Sequence, residues 1–289
     1  MIVAVLSLTI LLSSATGTVM GATFEEFSYE LIKDGTEVQI TGYSGAGADV
    51  VIPSAIGEKS VTSIRYSAFA GTPWLTSVTI PEGVTSIGNY AFQGCSSLAS
   101  IVMPDSIVTI GRSAFDGCTS LTSVVIPANV VSIDITSFSG CTSLSEIILP
   151  DGLQQIGNSA FQDCAGLTSL VIPEGVTKID TSAFRGCENL ISITLPDNLT
   201  TLGNSVFYGC VNLTSIIIPE GVSSIGSQLF QGCTNLTSVV IPESVTVMGS
   251  YAFADCENLM SVTLPDDLTT LGSSAFLRCD NLASMVRSS

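Results

Sequence analysis

Ten phenylalanines recur at one fixed spacing of 23 residues: Phe69, Phe92, Phe115, Phe138, Phe161, Phe184, Phe207, Phe230, Phe253 and Phe276. Nine cysteines from Cys95 to Cys279 and nine prolines from Pro81 to Pro265 keep the same period. Self-similarity at a period of this size is the mark of a solenoid, in which each coil packs only on its neighbours. That constrains the fold more than length does. A chain of 289 residues would otherwise suggest one or two globular domains, whereas an array of this kind is one elongated domain.

The common frame is L-x-x-I-x-I-P-x-x-V-x-x-I-G-x-x-A-F-x-x-C-x-x, as in residues 98–120. Its first segment alternates, with Leu98, Ile101 and Met103 on one side and Ser100 and Val102 on the other. Short, β-branched and ended by Pro104, it predicts one strand of a parallel sheet per coil. Gly111, replaced by Asp134 and Asp180 in other coils, predicts a turn with positive φ. The Ala114-Phe115 pair then closes the core from the opposite wall. A single coil buries too little apolar surface to offset the ordering of its backbone, so only stacking makes it stable. At ~4.8 Å per strand, about ten coils give a rod or shallow arc ~50 Å long.

The ends differ from the middle. Residues 28–41 read as two strands around an Asp34-Gly35 hairpin turn, an N-terminal cap, followed by a loop from Gly42 to Gly47. Asp49-Val50-Val51-Ile52-Pro53 starts a first coil that is longer than the others. The far end stops at Ser289 with no polar cap after Leu282 to Val286, so a truncated C-terminal portion is expected. The run Met1 to Leu12, followed by small residues through Ala22, reads as a secretory signal with cleavage after Ala15 or Gly21; a membrane span needs about 20 apolar residues. It lacks a basic leading segment, and a short uncleaved anchor is the alternative. The organisation expected is 1–22 signal peptide, 23–48 hairpin cap and 49–289 solenoid, secreted or at the cell surface, with no membrane insertion of the mature chain.

Composition excludes several functions. Twenty-five acidic against 8 basic residues give a formal net charge of −17, which repels nucleic acid and anionic membranes. The chain has no histidine, which removes Ser-His-Asp and Cys-His nucleophile systems and every His-ligated metal site. Carboxylate-pair glycosidases pass this filter.

The combined Ile-Pro, Ile-Gly, Ala-Phe and Cys landmarks of the frame resemble those of the BspA-like (treponemal-type) leucine-rich repeats over residues 49–286. The start at residues 51–64, Val-Ile-Pro-Ser-Ala-Ile-Gly-Glu-Lys-Ser-Val-Thr-Ser-Ile, is similar to how such arrays begin. The resemblance implies a leucine-rich-repeat solenoid with a parallel β-sheet on one face and turns and short helical segments on the other. It also implies a secreted or surface-displayed binding protein, often an adhesin, and it carries over no catalytic residues. Local departures are Ser137, Val206 and Leu229 at the alanine position and Thr72 at the first cysteine position.

Several columns are candidate sites. The nine cysteines share one structural position, and in-register side chains run parallel, so buried free thiols are expected over disulfides. Zinc is disfavoured because no C-x-x-C pair exists. The residue after the proline is acidic at Glu82, Asp105, Asp151, Glu174, Asp197, Glu220, Glu243 and Asp266, with Ala128 the exception. This column is read as solvated turn residues, because the Gly/Asp-dense turns of calcium solenoids are absent. Outward strand positions form a serine column, interrupted by Glu146, and a β-branched column of Thr79, Val102, Val125, Ile148, Val171, Thr194, Ile217, Val240 and Thr263. Strand propensity alone explains β-branched residues, yet a contiguous exposed strip marks an interaction surface. It is the sharpest binding candidate in the sequence, and without aromatics it favours a protein partner over a glycan. Asn198, Asn212 and Asn235 head Asn-Leu-Thr sequons and are candidate N-glycosylation sites. Trp74 is read as a packing plug at the first coil junction.

The function expected is therefore protein–protein binding or adhesion through the sheet face, with no catalysis, no cofactor and no metal. An architectural spacer or self-associating wall component is the competing class. A carboxylate-pair glycosidase is disfavoured because the acids lie in a regular column on turns.

Overall fold

The computed structural model describes residues 24–287, so the expected signal peptide at 1–22 lies outside the described residues. The array opens with an antiparallel pair, β1 (Phe27–Ile32) and β2 (Glu37–Tyr43), joined through Lys33, Asp34 and Gly35, all at positive φ. β3 (Asp49–Val51), β4 (Ala55–Ile56) and β5 (Lys59–Ile64) follow. β2 pairs in parallel with β5, so the hairpin runs directly into the stacked coils. β4 folds back antiparallel on β5 around Gly57. This small hairpin accounts for the greater length of the first coil.

Each later coil contributes two short strands where the alternation predicted one. β6 (Ser77–Thr79) and β7 (Ser86–Ile87) form the first pair, and the pattern repeats to β22 (Ser261–Leu264), β23 (Thr270–Leu271) and the final β24 (Ser284–Arg287). One parallel ladder stacks Val51, Thr79 and Val102; the other stacks Ile64, Ile87 and Ile110. Between them lies a tight corner, in which the Ile107 N–H donates to the Pro104 carbonyl at 3.1 Å. Past that corner Thr109–Ile110 is extended again and pairs a second time.

The wall bearing the phenylalanines is not helical. Among the described residues the one helical element is a short 3-10 turn at Phe24–Glu26. A helix would direct each N–H to its own coil four residues back. Here the Tyr90, Phe92 and Gly94 N–H groups donate to the Arg112, Ala114 and Asp116 carbonyls of the next coil, each at 2.8 Å. The intervening N–H groups of Ala91, Gln93 and Cys95 close turns within the coil. Left-handed backbone at Tyr90 (φ 59°) and Gly94 (φ 70°) makes this alternation possible. Positive φ is therefore not at the Gly111 position, as predicted, but at Ser113 and Gly117. Gly111 answers a close approach instead: a Cβ there would lie 2.6 Å from the Asn89 backbone nitrogen, a separation that real atoms do not tolerate.

Inside, the phenylalanine rings stack coil on coil, with centroids 4.9 Å apart at Phe69–Phe92 and 6.0 Å at Phe184–Phe207. Phe27 and Tyr43 continue that stack over the N-terminal end. Leu98, Ile101, Ile110, Phe115 and Cys118 are buried, whereas Ser100 and Val102 face out, as the alternation requires. The departures from the frame are absorbed: Val206 and Leu229 are fully buried, and the buried Ser137 hydroxyl donates to the Asp134 carbonyl at 2.9 Å. Thr72, at the cysteine position of its coil, donates from Oγ1 to the Phe69 carbonyl of that same coil at 2.7 Å. Trp74 is not a plug. It is 48% exposed, because Leu75 beside it fills the core. Among the described residues no helix is long and apolar enough to cross a membrane.

Candidate functional site

In each Ser-x-β-branched triplet the middle residue enters the core and its two neighbours face solvent. Val102, Val125, Ile148, Val171, Thr194, Ile217, Val240 and Thr263 are accordingly all exposed, Val171 and Ile217 to 70% each. Register stacks them: Val125 lies opposite Ile148, Val171 opposite Thr194, Ile217 opposite Val240 and Thr263 opposite Val286. Val51 and Val286 extend the strip at its two ends. The neighbouring serine column is exposed over most of its length, with Glu146 opposite Ser123. Asp49 heads that column and accepts hydrogen bonds from Ser77 Oγ at 2.6 Å and Thr76 Oγ1 at 2.9 Å. Those bonds hold its carboxyl below the ordinary aspartate value.

The strip is not uniform. β10 (Ser123–Val125) pairs with β12 (Glu146–Ile148), β14 (Ser169–Val171) with β16 (Ser192–Thr194), and β18 (Ser215–Ile217) with β20 (Ser238–Val240). Pairing lapses at every second step from Ser100–Val102 onward: between that strand and β10, between β12 and β14, between β16 and β18, and between β20 and β22. A groove of about 450 Å³ opens between β12 and β14 and one of about 380 Å³ between β16 and β18. The first is lined by Ile148, Val171 and Asp151, the second by Thr194, Ile217 and Asp197, with serine hydroxyls in both. Each groove thus sets apolar walls beside one carboxylate, an arrangement that accepts a side chain with an apolar stem and a cationic head.

The acidic column runs along this edge, exposed throughout. Part of its hydrogen-bonding capacity is spent within the array: Glu174 Oε2 accepts the Asp197 N–H at 3.1 Å, and Glu243 Oε2 accepts the Asp266 N–H at 3.3 Å.

On the other border runs a ladder that the sequence reasoning missed. Asn212, Asn235, Asn258 and Asn281 each donate an Nδ2–H to the Oδ1 of the asparagine one coil earlier, at 3.3, 3.0, 3.3 and 3.3 Å. Asn189 begins it by donating to the Ala165 carbonyl at 2.9 Å. The signal was an asparagine two places after cysteine in five consecutive coils; two of these residues were read only as sequon heads. Asn198, the third sequon head, lies elsewhere and donates to the Glu174 carbonyl at 3.1 Å.

The cysteines are free thiols, buried from Cys95 to Cys256 and half-buried at Cys279. Desolvation pushes the Cys141 thiol up to about 12 and that of Cys279 to about 11. Such thiols are poor nucleophiles.

Comparison with known proteins gives a consistent result. A family model described as a BspA type leucine rich repeat region matches residues 62–190 and 154–283 in 6 copies. A search of curated proteins finds no significant match to this chain. Among solved structures, a leucine-rich repeat protein from Bacteroides ovatus is similar at 26% identity and a TM-score of 0.52, over 91% of this chain and 94% of that one. The pneumococcal vaccine antigen PcpA is similar in fold at a TM-score of 0.65 and 19% identity, over 92% of this chain and 81% of that one. With the repeat frame, the stacked coils and the family match in agreement, the chain belongs to the BspA type leucine rich repeat family.

Proposed function

We propose that this protein is a secreted or cell-surface binding protein that holds another protein on the outward face of its first ladder. The carrying observation is the contiguous strip of exposed β-branched side chains, with Val171 and Ile217 the most exposed. Solenoids bind on such extended faces, and an exposed apolar strip with a polar border is typical of interaction surfaces. Binding proceeds by complementarity over several coils, with no bond-making chemistry. The absence of aromatic side chains from this column favours a protein over a saccharide here.

The test is binding of the chain to a panel of matrix and cell-surface proteins, with the double variant Val171→Lys/Ile217→Lys as control. Two central anchors lost from an interface cost roughly 2 kcal/mol or more, about 30-fold in affinity. Saturable binding that the double variant loses, with its thermal unfolding unchanged, supports the reading. Binding indifferent to the two lysines overturns it. The architectural alternative draws on β24, which pairs with β22 along one edge and whose Ser284, Met285, Val286 and Arg287 are all exposed; a strand whose other edge is unpaired among the described residues is a template for a second copy. Self-association of the wild-type chain with no ligand in the panel would favour that alternative.

A further inference from the structure

We propose a second site, on the other ladder, that binds a pyranose saccharide. A groove of about 410 Å³ lies over β7 and the strand Thr109–Ile110, spanning the first coils. Its floor is the glycine column: Gly88, then Gly111, with Asp134 closing it where the next coil replaces glycine by aspartate. Gly88 cannot carry a side chain where it stands, because a Cβ there would lie 2.6 Å from both Arg65 C and Tyr66 N. Alongside runs the next column in register, Tyr66, Asn89 and Arg112. The volume falls in the lower part of the roughly 300–1,000 Å³ range of small-molecule sites.

The wall residues supply what a sugar ring needs. Tyr66 is 61% exposed and lines the groove. Its ring is steadied by an edge contact with Tyr90, with centroids 5.3 Å apart at 64°. Tyr90 makes that contact from the left-handed backbone (φ 59°) that the equivalent residue of every coil adopts, Ser67 and Ser113 among them. Asn89 Oδ1 accepts the Arg112 N–H at 2.9 Å, which fixes the amide plane and leaves its Nδ2 donors for a ligand. Asp134 Oδ1 accepts the Ile135 N–H at 2.6 Å, leaving Oδ2 as an acceptor.

A pyranose presents an apolar C–H face that stacks on an aromatic ring, and hydroxyl groups that planar amide and carboxylate groups meet. The repeat alone does not require this set. Farther along, the glycine column continues through Gly203, Gly226 and Gly249, and Asn204 Oδ1 again accepts the next coil's N–H, from Ser227 at 2.8 Å. There Ser227 and Ser250 stand beside Asn204, with no aromatic or cationic group in the column.

The experiment is saturation-transfer difference NMR on the full chain with cellotriose, maltotriose, mannotriose, N-acetyllactosamine and digalacturonate. At least one saccharide should receive saturation. Its affinity should fall tenfold or more in Tyr66→Ala and again in Asp134→Asn, which keeps the Oδ1 acceptor for the Ile135 N–H and replaces the Oδ2 offered to the ligand. The Val171→Lys/Ile217→Lys variant should bind it like wild type, so this site and the protein-binding strip succeed or fail separately. No saturation of any of the five, or binding that survives in Tyr66→Ala, overturns the proposal.

Discussion

The Cys118 and Cys187 S–H groups donate to the carbonyls of Phe92 and Phe161 in the coils before, each at 3.2 Å. The same bond is made by all nine cysteines, whereas Thr72 at the equivalent position of the first coil donates to Phe69 of its own coil. Desolvation is the largest cause of the raised thiol pKa values, with neighbouring thiols adding to it at Cys187 and Cys210. The sign of the pH effect follows. A thiol whose folded value lies above the unfolded one, near 8.5, stabilises the fold fully below that pH. This contribution is lost as pH rises toward the folded values, about 11 for Cys279 and about 12 for Cys141. Each thiol contributes up to about 1.4 kcal/mol per pH unit within that window. The unfolding midpoint should therefore drop steeply between about pH 8.5 and pH 10, with thiolate absorbance appearing only on unfolding. A flat midpoint, or thiolate absorbance in the folded chain at the same pH, would contradict the buried-donor role.

At the scale of elements, the asparagine ladder is a side-chain counterpart of the backbone ladders. Asn235 both donates to Asn212 and accepts from Asn258, whereas Asn281 only donates. Asn235→Ala should then cost about 1–2 kcal/mol and Asn281→Ala about half as much, read by urea denaturation; equal costs would show that the amides act independently. The ladder also marks the limit of what could be read without coordinates. Periodicity placed the phenylalanine stack and the exposed strip, because inward and outward positions follow from alternation within one coil. It did not separate Thr109–Ile110 from a turn, since a two-residue strand is defined by its partners in adjacent coils. Nor did it exclude helix at Ala114-Phe115, because the decisive hydrogen bonds run to carbonyls 22 residues away, as from the Phe92 N–H to Ala114. The lapses between β12 and β14 and between β16 and β18 have no sequence mark at all. Val171 pairs across to Thr194 and not to Ile148, although the three occupy equivalent positions.

The molecule as a whole behaves as a one-dimensional stack with unlike ends. At the start, Phe27 and Tyr43 cover Phe69, with centroid distances of 5.2 Å between the first two rings and 5.8 Å between the last two. At the other end Leu271, Leu277 and Met285 are exposed, and Phe276, Cys279 and Leu282 are only partly buried. Stability in such a stack is roughly a sum of coil terms and nearest-neighbour interfaces, so its integrity rests on period and not on the number of coils. Removing residues 152–174, one full period, joins Asp151 to Gly175 and restores the Pro-acid-Gly-Val corner along with every column on both sides. That variant should fold with wild-type circular dichroism per residue and a modestly lower midpoint. Removing residues 154–174 leaves two extra residues at the junction and offsets the phenylalanine, cysteine and strip columns between the two halves. Their ladders cannot then be continuous, because a shift within a strand exchanges inward and outward faces or leaves partners unpaired. The expected result is loss of a single cooperative transition, with hydrogen exchange fast on both sides of the junction. If both deletions unfold alike, in one transition at one midpoint, the coils are not coupled through register, and the nearest-neighbour account of this array fails.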